Sequence, residues 1–252
     1  MSLAKLYYLH EGLPRQTPGS ELSTRRAIEG LGPVPRDLGA LDIGCGTGRS
    51  AVLLAQELGA RVTAIDIHQP YLDSLSATSQ RSGLSALIKP VNMSMAKMQF
   101  EPASFDLIWS EGSAYFVGIR RSLELWFPLL KDTGRAVFSE LCWLTEDRSR
   151  EAVEYWASAY PAMEPAAAHL AAAKEIGYTV CDSWTIPEQD WWDEYLNPLQ
   201  LRMAALAEEA SRDEQLAELM AESRRAIELY RRHSASFGYV FHTVSKPRSL
   251  PL

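Results

Sequence analysis

Apolar runs alternate with amphipathic stretches along most of this chain. Short apolar runs bounded by turn residues indicate buried strands, and apolar positions about three to four residues apart indicate helices. Seven segments fit strands, at 38–43, 61–66, 86–91, 104–109, 135–143, 178–186 and 237–244. Nine fit helices, at 3–10, 21–30, 50–58, 70–82, 123–130, 151–160, 165–176, 198–210 and 213–234. Strands that alternate with helices predict an α/β fold on a mostly parallel sheet.

Three glycines follow the first predicted strand directly. Gly44, Gly46 and Gly48 separate it from the helix that begins near Ser50. Glycine allows a sharp turn and lets a ligand approach the backbone where a Cβ would collide. The N-terminus of the following helix offers unpaired N–H groups and a partial positive charge. Strand, glycine turn and helix in this order predict a nucleotide-binding turn.

The spacing of the glycines narrows the kind of nucleotide. It is Gly-x-Gly-x-Gly after Asp42, whereas dinucleotide enzymes have Gly-x-Gly-x-x-Gly. The second strand ends in Asp66, whose carboxylate can accept hydrogen bonds from both ribose hydroxyls. With this glycine motif and with Asp66 at the end of the second strand, the chain resembles class I S-adenosylmethionine-dependent methyltransferases of the small-molecule type. Asp42 to Gly48 looks like their first motif, and Asp66 looks like their ribose-binding acid. A glycine turn with an unrelated acid is the alternative.

The resemblance covers about residues 15–145 and implies a Rossmann-like sheet of seven strands. It implies helices on both faces, an antiparallel last strand and S-adenosyl-L-methionine as cofactor. The cofactor-binding residues expected from it are Asp42, Gly44, Cys45, Gly46, Gly48, Asp66, Ile67, Ser94, Met95 and Ser110. Ser94 stands where the family's third motif often has an aspartate, so the backbone N–H of Met95 is the expected contact to adenine. A plain turn after the third strand is the alternative there.

Two segments extend beyond the minimal sheet, although residues 1–252 are expected to form a single methyltransferase domain. Residues 1–30 include a loop at 13–20 with two prolines and a glycine, and Ser20 is a suitable N-cap for the next helix. This loop resembles one that lies over the cofactor pocket in related enzymes, and a plain linker is the alternative. Residues 187–235 are longer than a hairpin loop requires, which predicts a helical lid between the last two strands.

Two acidic residues at strand ends are the catalytic candidates. Glu111 follows the fourth strand, and Glu140 lies within the fifth. Either carboxylate can take a proton from a methyl acceptor or pair with a cation, and a salt bridge or a cap is the structural alternative for both. Glu111 is favoured because its loop must pass the methyl group if the resemblance holds.

Aromatic residues are dense near the predicted pocket. They are Tyr115, Phe116, Trp143, Trp191, Trp192 and Tyr195. An aromatic rim with two acids suits a cationic acceptor, but aromatic residues at strand and helix ends more often belong to the core.

Composition limits the remaining choices. The 252 residues carry a net charge of −7, which argues against non-specific binding to nucleic acid and favours a neutral or cationic small acceptor. The three cysteines and five histidines show no metal-ligand spacing, so no metal is expected. The N-terminus does not resemble a signal peptide, and no apolar run is long enough to span a membrane, so a cytoplasmic location is expected. Association into a homodimer is left open.

The function expected from the sequence is therefore methyl transfer from S-adenosylmethionine to a small molecule. A nicotinamide-dependent oxidoreductase is the alternative enzyme, and the glycine spacing disfavours it. A non-catalytic module that binds S-adenosylmethionine is the alternative outside the enzymes.

Overall fold

The computed structural model describes residues 3–248. Seven strands form one sheet: β1 Gly39–Ile43, β2 Arg61–Asp66, β3 Ile88–Asn92, β4 Phe105–Glu111, β5 Leu130–Trp143, β6 Thr179–Thr185 and β7 Phe237–Ser245. Their order is β3-β2-β1-β4-β5-β7-β6. The pairs among β1 to β5 are parallel, and β7 runs antiparallel to both of its neighbours. The predicted Rossmann-like sheet, with an antiparallel last strand, is confirmed.

The helices cover both faces of this sheet. They are α1 Leu3–His10, α2 Glu21–Glu29, α3 Arg49–Leu58, α4 Gln69–Arg81, α5 Ile119–Trp126, α6 Arg150–Ala159, α7 Ala166–Ile176, α8 Glu188–Trp191, α9 Asn197–Ala205, α10 Ala207–Ala210 and α11 Glu214–His233. Two apolar clusters pack against the sheet: one contains Trp109 and Phe241, and the other contains Trp126 and Phe138. Ser20 is the N-cap of α2, as predicted, since its side chain accepts a hydrogen bond from the Ser23 N–H at 3.0 Å.

Several predicted boundaries are wrong for local reasons. The helix predicted at 123–130 begins at Ile119 and ends at Trp126, because Pro128 cannot continue an α-helix and lies in a short 3-10 turn. The third strand starts two residues late, after a turn in which the Leu87 N–H bonds to the Leu84 carbonyl at 2.8 Å. The fourth strand continues through Glu111, which places that side chain on the sheet and not in a loop.

The segment between β6 and β7 is helical over more of its length than predicted. A π-helical stretch, Trp192–Leu196, joins α8 to α9. Pro198 follows it and cannot donate to the carbonyl four residues earlier, which accounts for the locally wider helical turn. Trp191 and Tyr195 both line the cavity described next.

Candidate functional site

A cavity of about 590 Å³ opens at the carboxyl ends of the parallel strands. The glycine turn and the ends of β2, β4 and β5 form its base, while α1, the loop at 15–18 and parts of α9 and α11 form its walls. Its volume lies within the usual range for small-molecule sites. Asp66 on β2 and Glu140 on β5 are three strand positions apart, which is about 14 Å at the usual strand spacing.

The glycine turn is held tightly at the base of this cavity. The N–H groups of Gly44 and Cys45 both donate to the Ile65 carbonyl, at 2.9 and 3.0 Å. Gly44 has φ +66°, and a Cβ added there would lie 2.5 Å from the Cβ of Ser113. Ser113 is itself fixed, because its hydroxyl donates to the Ile43 carbonyl at 2.8 Å. Both the backbone angle and the close contact therefore require glycine at this position.

Asp66 faces the glycine turn from the tip of β2. Its Oδ2 accepts the Gly46 N–H at 3.0 Å, and its Oδ1 accepts the His68 N–H at 2.8 Å. Each oxygen retains a second lone pair, and the side chain lines the cavity. The carboxylate is thus oriented by backbone groups before any ligand binds.

Asp42 is a buried acid beside the same turn. It is 1% exposed, it lines the cavity, and no group in residues 3–248 is hydrogen-bonded to its Oδ2. Burial, followed by the negative charges of Glu111 and Asp66, raises the pKa of Asp42 well above its usual value. Burial also raises the pKa of the neighbouring Cys45 thiol, which leaves it a neutral wall residue.

Most of the predicted cofactor residues come together in this cavity. Those that line it are Asp42, Gly44, Cys45, Gly46, Asp66, Ile67, Ser94 and Met95. Gly48 and Ser110 do not. Gly48 has φ +83° at the start of α3, and a Cβ there would lie 2.7 Å from Cγ of Leu75. The Ser110 side chain is fully buried, and its hydroxyl bonds to the Ser113 hydroxyl at 2.8 Å. Gly48 and Ser110 therefore support the glycine turn without lining the cavity.

Glu111 forms a buried ion pair. Its Oε2 accepts from Arg15 Nη1 at 2.9 Å, and the two side chains are 8% and 6% exposed. Three neutral donors surround Oε1 at 2.8–2.9 Å, namely the Ser50 hydroxyl, the Thr24 hydroxyl and the Trp109 indole N–H. Glu111 lines the cavity, but this set of partners matches the structural alternative, a salt bridge, and leaves it poorly suited to take a proton.

Glu140 also lines the cavity, but it has no ion-pair partner among the described residues. It is fully buried, it lines the cavity, and no side chain in residues 3–248 is hydrogen-bonded to its Oε2. Its Oε1 accepts the Tyr115 N–H at 3.2 Å, and the backbone N–H groups of Ala114 and Leu141 also interact with the carboxylate. Burial raises the pKa of Glu140 to about 8, although backbone N–H groups nearby oppose the shift. A carboxyl with a free oxygen and a pKa near neutrality is suited to proton transfer.

The cavity wall beside Glu140 is aromatic. Four of the six predicted aromatic residues line it, namely Tyr115, Phe116, Trp191 and Tyr195. Trp143 packs in the core against Phe237, and Trp192 lies under the guanidinium of Arg231. Sequence reasoning missed further aromatic residues in the wall: Tyr7, Tyr71, Trp156, Tyr160, Phe237 and Tyr239. Tyr7 carried the clearest signal, since it lies within residues 1–30, one of the two segments predicted to extend beyond the minimal sheet.

The two added segments contact each other over the cavity. Arg15 Nε donates to Glu194 Oε2 at 3.0 Å, so this arginine joins the N-terminal loop to both β4 and the π-helical stretch. The Ser20 hydroxyl donates to Asp190 Oδ2 at 2.7 Å, and the Ser23 hydroxyl donates to the same oxygen. Asp190 is 8% exposed, which makes these contacts part of a buried junction.

A separate polar cluster lies away from the cavity walls. Cys142, His169 and His242 are fully buried, and Cys142 Sγ lies 3.5 Å from His169 Nδ1. Burial lowers the pKa of His169 to about 4 and that of His242 to about 3, so both rings are neutral near pH 7. His242 Nδ1 bonds to the Ser183 hydroxyl at 3.0 Å. The expectation that the chain holds no metal stays a prediction.

The sheet order, the glycine turn after β1 and the acid at the tip of β2 together define the fold of class I methyltransferases. Residues 40–134 match the family described as a methyltransferase domain, so this part of the chain carries such a domain. The resemblance stated from the sequence is thereby confirmed.

Proteins with similar sequences or folds include named methyltransferases. The chain is 30% identical over 95 residues to a sarcosine/dimethylglycine N-methyltransferase of Halorhodospira halochloris, which is 36% of this chain and 34% of that protein. The chain spans between 24% and 50% of the length of the first curated relatives it matches. Its fold is similar to phosphoethanolamine N-methyltransferase 2 of Haemonchus contortus in complex with S-adenosylmethionine, with TM-score 0.71 and 17% identity over 97% of this chain and 56% of that one. It is also similar to a geranyl diphosphate methyltransferase in complex with the same cofactor, with TM-score 0.65 and 20% identity over 89% and 86%.

Proposed function

We propose that this protein transfers a methyl group from S-adenosylmethionine to a small-molecule acceptor. The observation that carries the proposal is one continuous cavity that contains the glycine turn, Asp66 and Glu140. In open α/β sheets, ligands bind beyond the carboxyl ends of the strands, and this cavity lies there. Its volume can hold a nucleoside-sized cofactor and a small acceptor together.

The residues around the glycine turn fit this cofactor. Asp66 is oriented to accept hydrogen bonds from the ribose, and the turn at Gly44 and Gly46 offers backbone without side chains. The unpaired Asp42 Oδ2 is placed to accept a hydrogen bond from an ammonium group. Ser94 and Met95 lie at the exit of β3, where the adenine would lie. The cofactor supplies a methyl group on a positively charged sulfur, and the chain's residues hold the reactants in line.

The segments 1–30 and 187–235 serve, in this proposal, as a cap and a lid over the acceptor. The described parts of both segments line the cavity, and they are joined through Arg15, Glu194 and Asp190. Their role is to exclude water and to hold the acceptor against β4 and β5. No helix within residues 3–248 is both long and apolar enough to cross a membrane.

The acceptor is a small neutral or cationic molecule. The buried acids Asp42 and Glu140 line the cavity, and the whole chain carries a net charge of −7. Both features disfavour a polyanionic acceptor such as nucleic acid. Sarcosine, dimethylglycine and phosphoethanolamine, the acceptors in the names of similar proteins, are all small amines, whereas geranyl diphosphate is not. A cytoplasmic location and a possible dimer stay predictions from the sequence.

Asp66→Asn is expected to weaken binding of S-adenosylhomocysteine by about 10- to 150-fold. The change removes the charge from hydrogen bonds to the ribose, and such bonds contribute about 1.5–3 kcal/mol. Isothermal titration calorimetry of both proteins measures the difference directly.

The matched control is Asp106→Asn. Asp106 Oδ2 also accepts a glycine N–H, from Gly39 at 2.9 Å, and it pairs with Lys131, but at the amino end of β1 and far from the cavity. Its variant should bind S-adenosylhomocysteine like the unchanged protein. Equal affinity in the Asp66 variant, or equal losses in both variants, would remove the basis of the proposed cofactor site.

A further inference from the structure

The side chain of Glu140 has an unusual combination of burial and missing partners. It is fully buried and lines the cavity, yet its Oε2 has no hydrogen-bond partner in the part of the chain that the structure describes. Within residues 3–248, no lysine, arginine or histidine forms an ion pair with it, and the groups that shift its pKa include no basic side chain. A buried carboxyl oxygen without a hydrogen-bond partner is costly to a fold, so Oε2 implies a ligand that satisfies it.

The titratable groups that interact electrostatically with Glu140 are neutral and mostly aromatic. They come from the loop after β4, the end of α6, β5 and β7, and they are Tyr115, Tyr160, Cys142 and Tyr239. Tyr195, from the π-helical stretch, also interacts with Tyr115 and Tyr239. Burial raises the pKa of each of these groups, so none of them carries a charge near pH 8.

Such surroundings select a cation. Aromatic faces attract an ammonium group once water is excluded, and a carboxylate among them supplies the counter-charge. A neutral alcohol gains little from the same wall. A carboxylate or phosphate acceptor would place a second negative charge beside Glu140 unless the glutamate kept its proton.

We infer that the acceptor atom is an amine nitrogen, that the amine enters as its ammonium ion, and that Glu140 removes its proton. This inference rests on the proposed methyl transfer and names the acceptor chemistry of the same site. It also makes Glu140, and not Glu111, the catalytic residue at the strand ends.

The step balances in atoms and electrons. An N–H bond of the ammonium breaks, its proton moves to Oε2 of Glu140, and the nitrogen recovers its lone pair. That lone pair forms the new N–C bond while the C–S bond of the methyl donor breaks and its electrons stay on sulfur. The proton leaves Glu140 for water when the products depart. The transfer needs no oxidant and no further reactant.

The first test identifies the chemical class of the product. The protein is incubated with methyl-labelled S-adenosylmethionine and a defined mixture of primary, secondary and tertiary amines, alcohols, thiols and carboxylic acids. Charcoal removes the adenosine-containing compounds, and the remaining label is applied to a cation exchanger at acidic pH. Retained label supports the inference. Label that passes through unretained overturns it but leaves methyl transfer intact, whereas no transferred label in any fraction overturns the proposed function as well.

The second test asks what Glu140 does to the amine found in this way. Glu140→Gln keeps the shape of the side chain but cannot accept the proton, so kcat/KM should fall by about 100-fold or more. S-adenosylhomocysteine should bind unchanged, which also shows that the variant is folded. The matched control is Glu164→Gln, because Glu164 is exposed and its charge acts on Tyr160 and Cys142. The control should keep full activity.

The pH profile gives a signature that a merely structural role would not produce. In the unchanged protein, kcat/KM should rise through the pKa of Glu140, at about 8, and fall above the pKa of the amine, at about 10 for an alkyl amine. In Glu140→Gln, the acidic limb near pH 8 should vanish, and kcat/KM should rise only as the free amine forms. An unchanged profile in the variant, or a loss no larger than that of the Glu164 control, overturns the role of Glu140.

Discussion

Replacing Arg15 by methionine should lower the free energy of unfolding by about 3–5 kcal/mol. Removing one partner of a buried ion pair leaves the other as an uncompensated charge, and losses of this size are typical. The ion pair of Arg15 with Glu111 counts as buried, because the two side chains are only 6% and 8% exposed. The variant also loses the Arg15 contact to Glu194, so the junction over the cavity should loosen with it. Urea denaturation followed by circular dichroism measures the loss.

Two comparisons isolate the cause of this effect. Arg120→Met removes an arginine from the exposed pair with Glu175, whose side chains are 53% and 64% exposed, and should cost less than about 1 kcal/mol. Adding Glu111→Gln to Arg15→Met should recover part of the loss, because the unpaired charge is then gone. A loss in Arg15→Met no greater than that in Arg120→Met would show that the buried pair contributes little.

Gly44→Ala should destabilise the protein by about 2–5 kcal/mol and prevent tight binding of S-adenosylhomocysteine. The left-handed backbone costs a residue with a Cβ about 1–2 kcal/mol, and an overpacked site adds about 1–3 kcal/mol. The new Cβ would lie 2.5 Å from the Cβ of Ser113, which is tied to Ile43 and cannot move without shifting the turn. Denaturation and calorimetry on the same variant measure both effects.

Gly12→Ala separates the two contributions. Gly12 has a similar angle, φ +76°, but a Cβ added there meets no atom within 4 Å. Its variant should lose only the backbone part, about 1–2 kcal/mol, and should bind S-adenosylhomocysteine normally. Equal losses in the two variants would mean that Ser113 yields easily and that the turn is less rigid than its hydrogen bonds indicate.

The parts of this fold that are determined by residues close together in the sequence were predictable. The period of apolar positions located all seven strands, and the Asp42 to Gly48 run with Asp66 located the glycine turn and the acid beside it. Each of these signals lies within a single strand-turn-helix unit. The resemblance to known methyltransferases then supplied the Rossmann-like sheet of seven strands and its antiparallel last strand.

The different surroundings of the two glutamates were not predictable in the same way. Glu111 and Glu140 both stand near strand ends, and nothing close to them in the chain distinguishes them. The difference comes from Arg15, which is 96 residues before Glu111 and reaches it only in the folded protein. Likewise, Ser110 fits a motif position, yet its hydroxyl bonds to Ser113 behind the turn. The environment of each of these side chains depends on partners that the folded chain brings to it. The pattern of residues along the sequence does not show these partners.

The contacts of Arg15 also bear on the order in which the protein folds. Arg15 and Glu194 are separated by 179 positions in the chain, and Ser20 and Asp190 by 170. Contacts between such distant segments require the largest loop closures and are slow to form. The parallel strands can assemble during synthesis, but these closures must wait until residues beyond 190 have left the ribosome. A newly made chain can therefore pair β1 to β5 before these contacts close the cavity wall, and the sheet is completed only when β7, at residues 237–245, has been made.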